Sequence, residues 1–255
     1  MSIYLLRILF IKIVHALTVQ TWRLIDTDLA HPYYVTAADD AISRAISEGK
    51  VPDTLHFYRR HPPGVSVGRM QSVKDIDLEE CGKRGIVIVR RKSGGGTIYT
   101  DEGCLIYALI FRSDTMNPEK IFGMVCNSIR TALEEFGFNA EYKKPNDILV
   151  NGRKVSGSAL LVRGNVVLIH GTVIVSSDLD VMRKVLIKRK EIEVTSLERE
   201  GKKVDFKELK EMLIKKFGES MDVEFVRGEL SDYEKELVER LIKERYGRDE
   251  WNFMR

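Results

Sequence analysis

In the run Val89-Arg90-Arg91-Lys92-Ser93-Gly94-Gly95-Gly96-Thr97-Ile98-Tyr99, three basic residues stand just before three glycines. The apolar residues ahead of them predict a strand that leaves the core and opens into a loop. Glycines have no Cβ, so their amides can approach an anion closely and adopt conformations other residues avoid. The basic side chains add charge for phosphate, and arginine can hold phosphate or carboxylate through two parallel hydrogen bonds. A flexible hairpin loop is the competing reading of the same composition. The run is neither a P-loop, since it lacks GKS or GKT, nor a dinucleotide fingerprint.

A second cluster runs Lys144-Pro145-Asn146-Asp147-Ile148-Leu149-Val150-Asn151-Gly152-Arg153-Lys154-Val155-Ser156-Gly157-Ser158-Ala159. Lys154 follows a tight turn and is trailed by small residues, which leaves room for a ligand against the strand. Its ammonium could neutralise a carboxylate and a nucleotide α-phosphate as they react. Preorganised charge of this kind is worth ~3–4 kcal/mol, about 10²–10³ in rate. An exposed hairpin lysine is the bland alternative. His170, within Leu168-Ile169-His170-Gly171-Thr172, is a lone histidine in an apolar strand. Such a residue is more often a satisfied core or edge group than a catalyst.

These residues need elements to hold them. Helical spacing of Ala37, Ala38, Ile42, Ala45 and Ile46 predicts a helix over Thr36–Lys50. Short strands are predicted at Thr54–Arg59, Val65–Gly68, Ile86–Arg90 and Cys104–Phe111, followed by a helix over Pro118–Phe136 capped by Asn117. Ile148–Val150 leads into Asn151-Gly152, a strong hairpin signal, then Lys154–Val162, a turn at Arg163-Gly164-Asn165, and Val166–Val175. Helices over Asp178–Leu186, Phe206–Phe217 and Ser231–Tyr246 close the chain, the last with Ser231 and Glu234 as a capping box. Hairpin-joined strands with helices in blocks predict an α+β fold with a mainly antiparallel sheet, not a doubly wound one.

At 255 residues and 44% hydrophobic, the chain suits one large domain that needs no disulfide or metal staple. Lysine and arginine number 41 against 38 aspartates and glutamates, a net +3 without the concentrated basic excess of a nucleic-acid binder. Cys81, Cys104 and Cys126 form no CxxC pair, which argues for a reducing, cytoplasmic setting and against a disulfide framework. The five histidines make no HExxH or HxxxH pair, so a structural metal site is not expected. Residues 1–20 are an N-terminal extension of uncertain role; Arg7 and Lys12 interrupt the apolar run, making it a poor membrane span or signal.

In this order and spacing, RRKSGGGTIYTDEG, NDILVNGRKVSGSA and VLIHGTVIV resemble the lipoate–protein ligase A family, whose superfamily also holds octanoyltransferases and biotin–protein ligases. TWRLIDTD, LHFYRRHPPGVSVGRMQ and YGRDEWNF add to the likeness, which runs from about Thr21 to Asn252. The resemblance implies a catalytic domain over 21–255 with a central antiparallel sheet flanked by helices, akin to class II aminoacyl-tRNA synthetase cores. It implies ATP-dependent activation of lipoate to lipoyl-AMP, with Mg²⁺, and transfer to a lysine of a lipoyl carrier domain. That carrier would be a 2-oxoacid dehydrogenase E2 component or the glycine cleavage H protein; neither nucleic acid nor membrane is an expected partner. Arg91 would contact the acyl-adenylate or nucleotide. Gly94 and Gly95, with Gly96, Thr97, Ile98 and Tyr99, would line the ATP site. Lys154 would be catalytic, touching both lipoate carboxylate and adenylate phosphate. Asn146 and Asp147 match the family's ND pair, with Asp147 orienting Mg²⁺ or Lys154. Val67, Gly68 and His170 would wall the lipoate tail.

The chain departs from the pattern at Thr100, where bacterial ligases often have histidine, and it stops just past Trp251-Asn252, where two-domain ligases enter an accessory domain. A separate accessory polypeptide is therefore expected, as in archaeal-type systems. The nearest rival is an octanoyltransferase that acts through a cysteine thioester. The relatives that use one place it shortly before the segment aligned with Asp147–Lys154, and here Asn139-Ala140-Glu141-Tyr142-Lys143-Lys144-Pro145-Asn146 holds no cysteine. Cys104, which opens a strand after the glycine loop, is the remaining candidate nucleophile. Biotin ligase is disfavoured because RRKSGGGT replaces its GRGRxG-type loop. A non-catalytic lipoyl- or nucleotide-binding subunit is the reading from another class.

Overall fold

A computed structural model describes residues 19–114, 117–187 and 193–254. Nearly all of the N-terminal extension lies outside the described residues. Along the chain run β1 (Gln20–Ala30), α1 (Pro32–Ser47), β2 (Thr54–Arg60), β3 (Gly64–Val67), α2 (Leu78–Lys83), β4 (Val87–Arg90), β5 (Ile98–Thr100) and β6 (Cys104–Arg112). There follow α3 (Pro118–Glu135), β7 (Ala140–Lys143), β8 (Asp147–Val150), β9 (Arg153–Arg163), β10 (Val166–Ile174), α4 (Leu179–Val185), α5 (Phe206–Met221), β11 (Val223–Arg227), α6 (Asp232–Leu241) and α7 (Asp249–Asn252). No helix among the described residues is long and apolar enough to cross a membrane.

Eight strands form one sheet in the order β11-β1-β2-β6-β10-β9-β8-β7, and β4-β3-β5 form a small second sheet. The large sheet is antiparallel from β2 to β7, as the hairpin signals predict, and parallel where β1 meets β2 and β11. Sequence reading assigned no strand to β1, β5, β7 or β11. The last two are the edges of the sheet and carry Glu141, Lys143, Glu224 and Arg227, the charged residues that protect an edge and hide its strand period.

Two layers of helix cover the sheet. On one face, Leu105, Tyr107, Leu109, Val167, Ile169 and Val173 pack against α3 and α5. On the other, Ala108, Ile110 and Leu168 meet α1, whose Ala37, Ala38, Ala41 and Ala45 are fully buried. Each large apolar side chain so buried contributes about 1.5–3 kcal/mol. α1 starts four residues before the predicted Thr36, because Pro32 suits a first helical turn and the His31 ring accepts from the Tyr33 amide.

The capping box of α6 forms as read: Ser231 and Glu234 satisfy each other's amides. Glu234 also holds Arg23 of β1 through two hydrogen bonds, at 2.6 and 2.8 Å. The predicted helix over Ser231–Tyr246 changes at Ile242–Tyr246 to a wider π turn. That turn brings Tyr246 to within 3.1 Å of the Asp40 carboxylate on α1.

Candidate functional site

The glycine loop leaves β4 beside the large sheet, and its three basic residues have separate tasks. Arg90 is fully buried. Its guanidinium donates to the carbonyls of Gly68 at 3.1 Å, Gln71 at 2.7 Å, Trp251 at 3.1 Å and Met254 at 2.6 Å. Asn252 and Trp251 complete the clamp, accepting from the Arg90 amide at 3.0 Å and donating to the Arg90 carbonyl at 2.8 Å. The closing YGRDEWNF segment is thereby fastened to the root of the loop.

Arg91 turns inward. Nη2 donates to the carbonyls of Gly94 and Gly96, both at 2.7 Å, and Nη1 to that of Ser66 at 2.9 Å. Lys92 pairs with Asp40 at 2.8 Å. Arg90 and Arg91 thus donate to backbone carbonyls, while Lys92 shares the Asp40 carboxylate with Arg44 and Arg245. A loop rich in glycine has bare carbonyls to satisfy, and these guanidiniums satisfy them.

Gly95 takes a positive φ of 81°, the conformation for which glycine suits the loop. Gly68 backs onto it so closely that a Cβ there would sit 2.1 Å from the Gly95 carbonyl oxygen. Val67 packs within the small sheet's own core and gives its carbonyl to the Arg91 amide. Tyr99 packs in that core too, Ile98 belongs to β5, and the Thr97 hydroxyl is buried without a protein partner.

Lys154 sits at a bulge. Ile148 pairs with Ser156 but Leu149 with Lys154, leaving Val155 as the extra residue. The Lys154 ammonium contacts the Asp147 carboxylate, and both side chains are about one-sixth exposed. A Cβ on Gly157 would lie 2.7 Å from Lys154 Nζ and 3.2 Å from Asp147 Oδ1. The small residues after Lys154 thus make room first for the lysine itself. Asn146 fastens this corner by donating from Nδ2 to the Ser158 carbonyl at 2.5 Å, while its own carbonyl accepts from the Ser158 amide at 2.9 Å.

Strand register places Gly157, Ala159 and Leu161 beside Thr172, His170 and Leu168, and these beside Ile106, Ala108 and Ile110. Lys154 lies over Gly157, and Gly95 approaches Ala159 so that a Cβ on the glycine would fall 3.4 Å from that of the alanine. One sheet face therefore carries the lysine, the loop above it and, farther along, a cavity lined by Asp39, Tyr58, Arg60, Arg91, Ser93 and His170.

That cavity holds residues sequence reading missed. Asp39 is 3% exposed on α1 and is surrounded by His56 Nδ1 at 3.0 Å, the Tyr58 hydroxyl at 2.9 Å and His170 Nδ1 at 3.3 Å. Burial pushes its pKa up, but hydrogen bonds from His170 and His56 outweigh this and hold it down at about 2. Burial pulls His170 below the ordinary histidine value despite Asp39. The pair is thus carboxylate and neutral imidazole near pH 7. Arg60, 4% exposed, donates to the hydroxyls of Thr100 and Thr36, each at 3.2 Å. Burial, and then the charge of Arg60, lower the Arg91 pKa to about 10. Among the described residues neither guanidinium pairs with a carboxylate, so the cavity favours an electron-rich ligand. Buried carboxylates on an otherwise apolar helix face, Asp39-Asp40, were the available signal.

No cysteine is exposed: Cys81, Cys104 and Cys126 are all buried. Burial pushes the Cys81 and Cys126 thiols up to about 11 and Cys104 higher still. Cys126, not Cys104, is the one beside the Lys154 corner, its Sγ 3.7 Å from the Ser158 hydroxyl on the opposite sheet face. Among the described residues no group of three histidines, cysteines or carboxylates could hold a metal.

A family model described as the lipoyl protein ligase A/B catalytic domain matches residues 31–218. Octanoyltransferase LipM of Brevibacillus brevis is 29% identical over 92% of this chain and 100% of its own length. Lipoate-protein ligase A subunit 1 of Thermoplasma acidophilum is 30% identical over 85% of this chain and 90% of its own. The T. acidophilum structure with bound lipoic acid superposes with a TM-score of 0.83 at 28% identity, covering 92% of this chain and 99% of that one. A lipoate-protein ligase A bound with ATP gives 0.85 at 27%, with the same coverage. The bi-partite lipoate protein ligase of T. acidophilum, described with its E2 lipoyl domain, also gives 0.85 at 27%, over 92% and 98%.

Proposed function

The chain belongs to the lipoyl protein ligase A/B catalytic-domain family, and we propose that it is an ATP-dependent lipoate–protein ligase within it. The observation that carries this reading over an octanoyltransferase is the state of the thiols. A thioester route needs a thiolate within reach of the substrate. The stretch before Asp147 has no cysteine, and all three cysteines are buried with raised pKa values. The paired Lys154 and Asp147 speak against a non-catalytic binding subunit.

In this reaction a lipoate carboxylate oxygen attacks the α-phosphorus of ATP, a P–O bond forms, and pyrophosphate leaves. The neutral ε-amine of the carrier lysine then attacks the acyl carbon of lipoyl-AMP; AMP departs and the amine loses a proton. Lys154 neutralises carboxylate and phosphate as they meet, and Asp147 aims its ammonium. The glycine loop, shaped from behind by Arg91, covers the nucleotide. The acyl tail runs from Lys154 over Gly157, beneath Gly95, towards His170. Of the two roles expected for Asp147, the Lys154 contact uses the carboxylate already; Mg²⁺ would come as the counter-ion of the ATP phosphates, which usually supply much of its coordination.

The bi-partite relative and its E2 lipoyl domain support two further parts of the proposal: an E2-type carrier as acceptor, and a separate accessory polypeptide as partner. Unpaired buried thiols suit a reducing compartment, which supports a cytoplasmic location.

The test is to replace Cys81, Cys104 and Cys126 together by alanine. Lipoylation of an apo carrier should stay within a few-fold of the parent. Lost activity in a well-folded variant, or an acyl-enzyme trapped on a cysteine of the parent, would make the chain a transferase.

A further inference from the structure

We propose that Asp39 is a positioning residue for the reaction, acting through His170 and Ser93 to fix the glycine loop. The activity readout rests on the ligase reading; the link itself does not.

The chain of contacts has one direction. An ionised carboxylate only accepts hydrogen bonds, so the three groups around Asp39 must donate to it. His170 therefore carries its proton on Nδ1, and a neutral ring with Nδ1–H offers Nε2 as acceptor. The Ser93 hydroxyl lies 2.6 Å from that Nε2 and donates to it. Ser93 Oγ in turn accepts from Arg91 Nε at 3.1 Å. The same guanidinium grips the carbonyls of Gly94 and Gly96. Four side chains thus run from a buried helix to the loop. Ser93 is fully buried, so its hydroxyl proton has no water to turn to.

The consequence is specific to charge. Asparagine at position 39 fills the same space but presents an NH₂ group. If that group faces His170, the ring tautomer reverses and Nε2–H points at Ser93. Ser93 then accepts from both sides and its own proton is orphaned. A buried donor left unsatisfied shifts an equilibrium by about tenfold or more. Asp39 has no described hydrogen bond to the loop, yet its side-chain amide form should loosen it.

A mere buttress is the alternative, since Asp39 also ties down His56 and Tyr58. A double-mutant cycle between Asp39→Asn and Ser93→Ala separates the two. Each single change should lower kcat/KM for ATP by about tenfold or more, and the pair should fall little further than the worse single. Amide exchange at Ser93–Gly96, measured without substrate, should rise in both singles while α1 and β2 stay protected. Effects that multiply in the double variant, or faster exchange in α1 and β2 with the loop unchanged, would overturn the proposal. Should Asp39→Asn fail to fold, the cycle is run with His170→Gln in its place. Gln can still accept from Ser93 and should retain more activity than His170→Leu; equal losses in the two would overturn the link. Loop exchange that responds as expected in a protein without ATP-dependent activity would leave the link standing and sink the ligase reading instead.

Discussion

Lys154→Ala is expected to lower lipoyl-adenylate formation by at least ~10²-fold while the chain stays folded. The ammonium is held against Asp147 in a slot that exists because Gly157 has no side chain. Truncation removes the positive charge that faces Asp147 and leaves the carboxylate to repel both anionic reactants. The fold should survive, because Asp147 is about one-sixth exposed and water can reach it. Lys154→Arg should not restore the rate. A guanidinium is flat, larger and weakly suited to replace a compact point charge, and the space over Gly157 already lies within 2.7 Å of the ammonium. Pyrophosphate exchange into ATP measures the step, and thermal melting checks the fold. Near-normal exchange in Lys154→Ala would remove the lysine from the mechanism.

Gly68→Ala should be nearly as damaging, by about 10²-fold in the same assay, although position 68 carries no chemistry. The new methyl would fall 2.1 Å from the Gly95 carbonyl oxygen and 3.1 Å from its carbon. Both are backbone atoms, so no side chain can swing aside; the loop must move off Ala159. Misplacing such an element by about an ångström typically costs that much. Gly82→Ala, where a Cβ meets nothing within 4 Å, serves as the control and should be silent. An unchanged rate in Gly68→Ala would mean that loop and strand are not held in register as described.

The parts of the site that could be read from the sequence are those carried by local pattern. Asn151-Gly152 announced the β8–β9 hairpin, and the run of small residues after Lys154 marked the lysine as unusual. Three tasks could not be read, because they depend on distant segments. Arg90 and Arg91 look interchangeable as neighbours, yet strand alternation sends one to the closing segment and the other to the glycine loop. Asp39 joins His170 from 131 positions away. Gly157 lies under the lysine only because a bulge at Val155 resets which side each residue faces. Strands β7 and β11 escaped for a different reason. They are short, charged edges, where burial does not impose an apolar period.

ATP dependence tests the central claim most directly. The chain is incubated with lipoate, Mg²⁺ and an apo E2-type lipoyl domain, with and without ATP, in the presence of an accessory polypeptide of the bi-partite kind. Products are followed by mass spectrometry. A ligase yields lipoyl-AMP, pyrophosphate and a lipoylated carrier lysine, all of them only when ATP is present. Octanoyl transfer from one carrier to another without ATP, through a thioester on Cys81, Cys104 or Cys126, would contradict it.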